Sequence, residues 1–469
     1  MAQERYFDEV FDNVKVTSDI TYATNITVIT GAPAPQELKL DIYEPEGDGV
    51  TARPLIIMFH SGNFLPYPVN QSTNGTKTDN AVVSMAERLA KMGYVVASAT
   101  YRLGWNPLAS SQAERVSLLI NAAYRGVQDA NTSVRFFKKT ADVDGNPYKI
   151  DPDKIVLWGF GTGGYISMNT AALDVYEKTL IPKFIGVDTS GNPRPMVISQ
   201  ISGDPQGAVT APINIANHAG YSSSFQLSVN LGGAIGDTSW IDPGMVPMIS
   251  YQVPTDPFAP YTEGIVIVPG VNLPVVEVQG SYLVQQLANA YGNNDAFVAA
   301  NLDDVYTQTA DSRNDGYEGL FPFLTSFPLD SAPWDWWDAT NINNANGLMT
   351  NPDMSFAKAM LYADSIIGYF APRAYVVLNL ATSVDETILP DAELKAMPNP
   401  AHSEILVATT SAEPIREITL MDVNGKVVKS YRNVDNQYFT VHRNDLAAGV
   451  YMLHARLDKG VITKKIIFQ

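Results

Sequence analysis

The sequence predicts an α/β fold with a doubly wound, mostly parallel sheet, followed by a small all-β sandwich domain. Three observations predict it. Apolar runs of strand length alternate with stretches of helical spacing from Pro54 to Met168. A glycine-rich turn, Gly159 to Gly164, joins the apolar run Lys154–Trp158 to a helical stretch that starts near Tyr165. Beyond Met397, short strand-like segments follow one another with turns about every 8–12 residues.

The elements follow in chain order. Asn13–Ser18, Asn25–Ile29 and Glu37–Tyr43 carry β-branched or alternating patterns and read as hairpin-forming strands. Pro54–Phe59 is continuously apolar, as a strand buried on both faces must be. It runs into His60-Ser61-Gly62-Asn63-Phe64. Asp79–Met92 has helical periodicity, with Gly93 placed to end it. Tyr94–Thr100 is the next strand, and Gln112–Thr140 a long helix. The irregular region at about 170–221 is expected to form a lid. Asp303–Met354 is rich in Asp, Asn and aromatics, including Trp334, Trp336 and Trp337. A helix is expected from Asn351-Pro352 to Phe370. The domain boundaries expected are 1–381, a polar linker 382–396, and 397–469.

Composition narrows the function. The 469 residues carry a net charge of −18, which disfavours nucleic acid and anionic membranes. Residues 396–469 hold 9 Lys and Arg against 7 Asp and Glu, so the acidity lies in the larger domain. Cysteine is absent, which removes disulfides, thiolate metal sites and a cysteine nucleophile. Five His leave little for a zinc site. No apolar run is long enough for a transmembrane helix. MAQERYFDEV lacks the basic end and apolar stretch of a signal peptide.

Residues 15–380 resemble the α/β-hydrolase superfamily, in particular secreted carboxylesterases. His60-Ser61-Gly62-Asn63 resembles the H-G-G-G oxyanion segment. Leu89–Ser98 with Tyr101-Arg102 resembles the helix and strand that follow it. Gly159–Gly163 resembles the G-x-S-x-G nucleophile elbow, with Gly161 in the place of the serine. Pro247–Tyr261 resembles the segment carrying the acid of the triad, here Asp256, and Val278–Ser281 the element after it. The C-terminal residues resemble the type A sorting domain of the type IX secretion system of Bacteroidetes. The matching stretches are Pro398-Asn399-Pro400, Val423–Val428, Leu446–Tyr451 and Lys464–Ile467. That resemblance implies handling by the type IX machinery, a removed leader, and a secreted or cell-surface location.

Acyl transfer on this fold needs a serine, an acid and a histidine, in that order. Gly161 has no nucleophilic atom. After Asp256 the next histidine is His402, beyond the linker. The triad is therefore degenerate, and no catalytic residue stands out. Thr162 is the nearest hydroxyl to the elbow, and His218 the histidine that a lid would supply. N–H groups near Gly62, Asn63 and Thr162, with His60 in support, are expected to leave a partial oxyanion pocket. Asp142-Val-Asp144-Gly-Asn146 has some calcium-loop character but lacks the closing Glu of an EF-hand, and no other cofactor is expected. Trp334, Trp336 and Trp337 suit either a sugar platform or loop packing. The expectation is a secreted pseudo-hydrolase that binds, adheres or assembles, with itself or an extracellular polymer as partner. The alternative is an extracellular esterase with an unconventional nucleophile.

Overall fold

Every residue of Arg53–Phe59 is buried, as its unbroken apolar run requires, and this segment is the central strand β3 of the computed structural model. Its side chains alternate. Leu55, Ile57 and Phe59 pack with Ala130, Val134 and Phe137 of one helix, and Ile56 and Met58 pack with Val82, Met85 and Leu89 of another. Helices therefore cover both faces, and each buried aliphatic or aromatic side chain contributes about 1.5–3 kcal/mol. The structure describes residues 4–188, 190–268, 273–380, 393–422, 427–444, 446–457 and 460–469. The chain divides into two units, Met1–Leu380 and Ala381–Gln469.

In the first unit the order is β1 (Val14–Thr27), β2 (Ala34–Pro45), β3, α1 (Asn80–Lys91), β4 (Val95–Ala99), α2 (Gln112–Asp142), β5 (Ile150–Phe160) and α3 (Thr162–Ala172). Then come β6 (Leu227–Leu231), β7 (Met248–Gln252), α4 (Ser281–Ala290), β8 (Leu320–Pro322) and α5 (Phe356–Val377). The eight strands form one sheet in the order β1-β2-β4-β3-β5-β6-β7-β8. The pairs β1–β2 and β2–β4 are antiparallel and all others parallel. This is the mostly parallel, doubly wound sheet of an α/β-hydrolase.

Two element boundaries differ from the sequence reading. The two strands expected at 13–29 are one strand, β1, with an irregularity in register between Thr17 and Ile20. Asp19 lies there at φ 59, and its N–H donates to Asp41 Oδ1 at 2.8 Å. The last helix, α5, runs seven residues past Phe370 to Val377 with Pro372 inside it.

Helix α2 opens with Ser111 accepting from the Glu114 N–H, a capping pair that a Ser-x-x-Glu spacing permits. Its middle buries Asp129 against Arg102, both fully excluded from solvent. Side chains of α2 also hold the region at 170–221. Gln128 Nε2 donates to Ser202 O and Asp204 O, and Arg135 Nη1 donates to Gln206 O.

The second unit is a sandwich of two antiparallel sheets. One holds β9 (Leu394–Met397), β10 (Glu404–Thr409) and β13 (Tyr438–His442) in the order β9-β10-β13. The other holds β11 (Ile415–Met421), β12 (Val427–Asn436), β14 (Gly449–Arg456) and β15 (Val461–Phe468) in the order β12-β11-β14-β15. Alternate residues Ile405, Val407, Ile418, Leu420, Leu453 and Ala455 meet in its core. The expected linker lies outside the described residues up to 392, and its end, from Leu394, is strand. Of the matching stretch Val423–Val428, residues 423–426 also lie outside them.

Candidate functional site

The turn between β5 and α3 keeps the backbone of a nucleophile elbow. Gly161 sits at φ 51, ψ −112, a conformation strained for any residue with a side chain. Its neighbours need to be glycine for space. A Cβ on Gly159 would stand 1.8 Å from Gly163 O, and one on Gly163 would stand 2.0 Å from Phe59 O. The Gly161 N–H donates to Leu231 O at 2.7 Å and ties the turn to β6.

The space above Gly161 is already taken. A Cβ built there would lie 2.3 Å from Ser61 Oγ. Ser61 follows β3 directly, at the second position of the segment that resembles H-G-G-G. Serine and glycine have thus changed places between the elbow and the oxyanion segment. The sequence reading gave Ser61 no role. The signal was there, a serine at a glycine position paired with a glycine at a serine position, but only proximity in the fold links them.

The other expected residues separate. Thr162 lines the cavity described below, but its Oγ1 lies 3.1 Å from the Tyr101 hydroxyl, which also donates to His60 O. The His60 ring stacks on Tyr101 at 4.6 Å, and its Nδ1 is 2.6 Å from Ser61 O. Burial pushes its pKa down to about 4, so it is neutral, and it supports the loop rather than lining the cavity. Gly62 packs against Gly75 and Asn70 and does not line the cavity either. Asn63 does, at φ 59, with its carbonyl accepting from Trp105 Nε1 at 2.8 Å.

Two expectations are corrected. His218 does not approach the elbow: its Nε2 is 2.6 Å from Tyr22 O and its ring packs against Phe136. The 170–221 region supplies Leu173, Thr179 and Phe184 to the cavity wall, and its histidine is not among the lining residues. Asp142 and Asp144 do not converge on a calcium site. Asp142 Oδ2 accepts from Tyr221 and Asp144 Oδ2 pairs with Lys139 at 2.9 Å. Among the described residues no group of three or more His, Cys, Asp or Glu could hold a metal.

Asp256 lies four residues past β7. Its Oδ1 accepts from the N–H groups of Phe258 and Ala259, at 2.7 and 3.3 Å. Burial, with a smaller push from Asp330, raises its pKa to about 8. Among the described residues of the first unit no histidine is hydrogen-bonded to it. A Cβ on Gly232 would be 3.6 Å from Asp256 Oδ2 and 3.5 Å from the Trp334 ring, so acid and indole border the same spot.

These groups border a cavity of about 360 Å³. Its walls are largely apolar and aromatic, including Phe64, Trp105, Tyr165, Phe258, Trp334 and Trp337. Residues 71–74 and 329–351 also border it. The Asn-rich stretch holds these two segments together: Asn343 Nδ2 donates to Ser72 O, Asn341 Nδ2 to Thr73 O and Asn346 Nδ2 to Gln71 O. Asn74 Nδ2 donates to Asp335, whose pKa burial and Asp79 raise to about 8. The arrangement can enclose an apolar molecule and offer it a few polar groups. Its elbow residue is Gly161, and among the described residues no histidine lines it.

Residues 40–186 match the BD-FAE family, an esterase-like α/β-hydrolase domain. Residues 395–469 match the secretion system C-terminal sorting domain. Comparison with curated proteins finds no match. Similar solved structures include esterase 2 of the Planctomycetes species Thermogutta terrifontis with propionate bound. It is 15% identical, with 72% of this chain and 92% of that chain covered and a TM-score of 0.36. The same esterase phosphorylated by paraoxon is 15% identical over the same shares, with a TM-score of 0.35. The sorting domain marks the chain for type IX secretion to the cell surface or extracellular space. No described helix is long and apolar enough to cross a membrane.

Proposed function

We propose that this chain, an esterase-like α/β-hydrolase body carrying a type IX sorting domain, is a secreted binding protein that holds a small ligand where an esterase would turn one over. One observation carries the reading. The elbow keeps its strained backbone, but its residue is Gly161, and Ser61 Oγ fills the space of the missing side chain. Oxyanion-type donors without a nucleophile and base leave only a residual enhancement, on the order of 10³–10⁴ over water and far below that of an intact triad, whereas a largely apolar cavity favours binding. Adhesion to an extracellular polymer or assembly with further copies belongs to the same non-catalytic class. A cavity of about 360 Å³ suits a small ligand better than either.

A second reading has an observation of its own. The Ser61 hydroxyl stands beside the elbow, so Ser61, rather than Thr162, is the nucleophile of an esterase alternative. It ranks second because no histidine lines the cavity to take its proton. The test is incubation of pure protein with a serine-reactive fluorophosphonate, followed by peptide mass spectrometry, alongside hydrolysis of a short-chain aryl ester. The binding reading expects no adduct and no turnover above heat-denatured protein. An adduct on Ser61, with turnover lost in Ser61→Ala, would replace it with the esterase reading.

A further inference from the structure

The charges on the cavity wall have one sign. Asp256 and Asp335 reach it from different loops, after β7 and after β8. They are 8% and 9% exposed. No Lys, Arg or His lines the wall. Neither carboxyl is in a salt bridge among the described residues, and Asp256 Oδ2 has no hydrogen-bond partner there. Asp256 Oδ2 is not one of the buried polar atoms left unsatisfied, so it faces the open space of the cavity and is free to take a partner from outside the chain.

The rest of the wall agrees with a cation. The Trp334 ring borders the same spot as Asp256 Oδ2, beside Gly232. Tyr165 and Phe258 adjoin it, the Tyr165 hydroxyl donating to Phe258 O at 3.1 Å. Aromatic faces attract ammonium groups, most strongly where water is excluded. Leu329 and Met349 also line the cavity and are 54% and 59% exposed, so part of its border is apolar. A fatty carboxylate would meet two carboxyl groups and no counter-charge.

We propose that the cavity binds an organic cation with an apolar body, an alkylammonium, its charged head beside Asp256 and the Trp334 ring and its body along the aromatic wall. This rests on the binding reading above. The head group replaces the solvation that burial has taken from Asp256, and a proton leaves the carboxyl as the cation enters. Binding therefore tightens with rising pH. The groups facing Asp256 are Asp330, itself paired with Lys358, and Tyr165; those facing Asp335 are Asp79 and Asn74. No cation among them competes with the ligand for Asp256.

The test is calorimetric titration of the full chain with hexyltrimethylammonium, 1-hexanol and hexanoate, at about pH 6 and about pH 9. The cation is expected to bind at least about tenfold more tightly than hexanol, with the larger margin at the higher pH. Asp256→Asn is expected to abolish that margin while hexanol still binds, and hexanol binding shows that the variant is folded. Asp335→Asn is the second variant, expected to shrink the margin. Equal affinity for cation and alcohol, or tightest binding of hexanoate, would overturn the cation and leave the binding reading standing. Binding of no probe would sink both.

Discussion

The two units handle charge in opposite ways. The first buries it. Arg102 and Asp129 pair with no solvent exposure, Arg53 pairs with a nearly buried Glu44, and Arg373 is buried with one arm on Glu318. The second unit keeps ion pairs such as Arg416 with Asp435 at its surface, at 41% and 59% exposure, around an aliphatic core. All the residues bordering the cavity belong to the first unit. A cavity removes packing partners from its walls, so the loops around it depend on directional bonds to stay in place. A sandwich filled by interdigitating side chains has less use for them.

One of the two largest expected effects follows from that contrast. Asp129→Asn leaves Arg102 buried without its counter-charge and should cost the first unit about 3–5 kcal/mol. Calorimetry should show the first unit's transition fall while that of the second stays. If both transitions move together, the units do not fold independently and the comparison breaks. Leu453→Ala is the converse, with an expected loss of about 2–4 kcal/mol confined to the second unit.

The other large effect has a sign that depends on pH. The Asp256 carboxyl is raised from 3.8 to about 8 in the folded protein. Between those values the folded chain keeps a proton that the unfolded chain has lost, so stability falls as pH rises through this window. Asp256→Asn has no such proton. The variant should gain on the parent by about 5 kcal/mol between pH 4 and pH 9, read from denaturant melts at both ends. A constant difference would show that the carboxyl titrates normally. The smallest effect belongs to the exposed pair: Arg416→Ala should shift the second unit by less than about 0.5 kcal/mol.

What could be read beforehand divides along physical lines. The run Pro54–Phe59 was legible because a strand buried on both faces has to be apolar throughout. The strand, glycine turn and helix at 154–168 were legible because close backbone approach admits only glycine at Gly159 and Gly163. That a glycine, Gly161, stands at the elbow position was legible too, since it is one residue. Local pattern did not reveal what lies around it. Ser61 and Gly161 are a hundred positions apart in the chain, and only the pairing of β3 with β5 brings them into contact. His218 fits a lid by position alone; the side chains of α2 that hold its neighbourhood elsewhere carry no signal in their own helical pattern. The stretch Asn341–Asn346 showed only as part of a region rich in Asp, Asn and aromatics, and its role in binding residues 71–74 needs partners about 270 positions away.

The exchange of Ser61 and Gly161 also constrains how the site can change. A serine at both positions would put two side chains into the room of one. A glycine at both would leave a hole beside the elbow. Either single step from the present pair is therefore worse packed than its starting point. The way back to an elbow serine passes over a barrier in sequence space as well as in energy. The site behaves as a ratchet: a serine at 161 takes a second, coordinated substitution at 61, in a separate strand-to-loop junction.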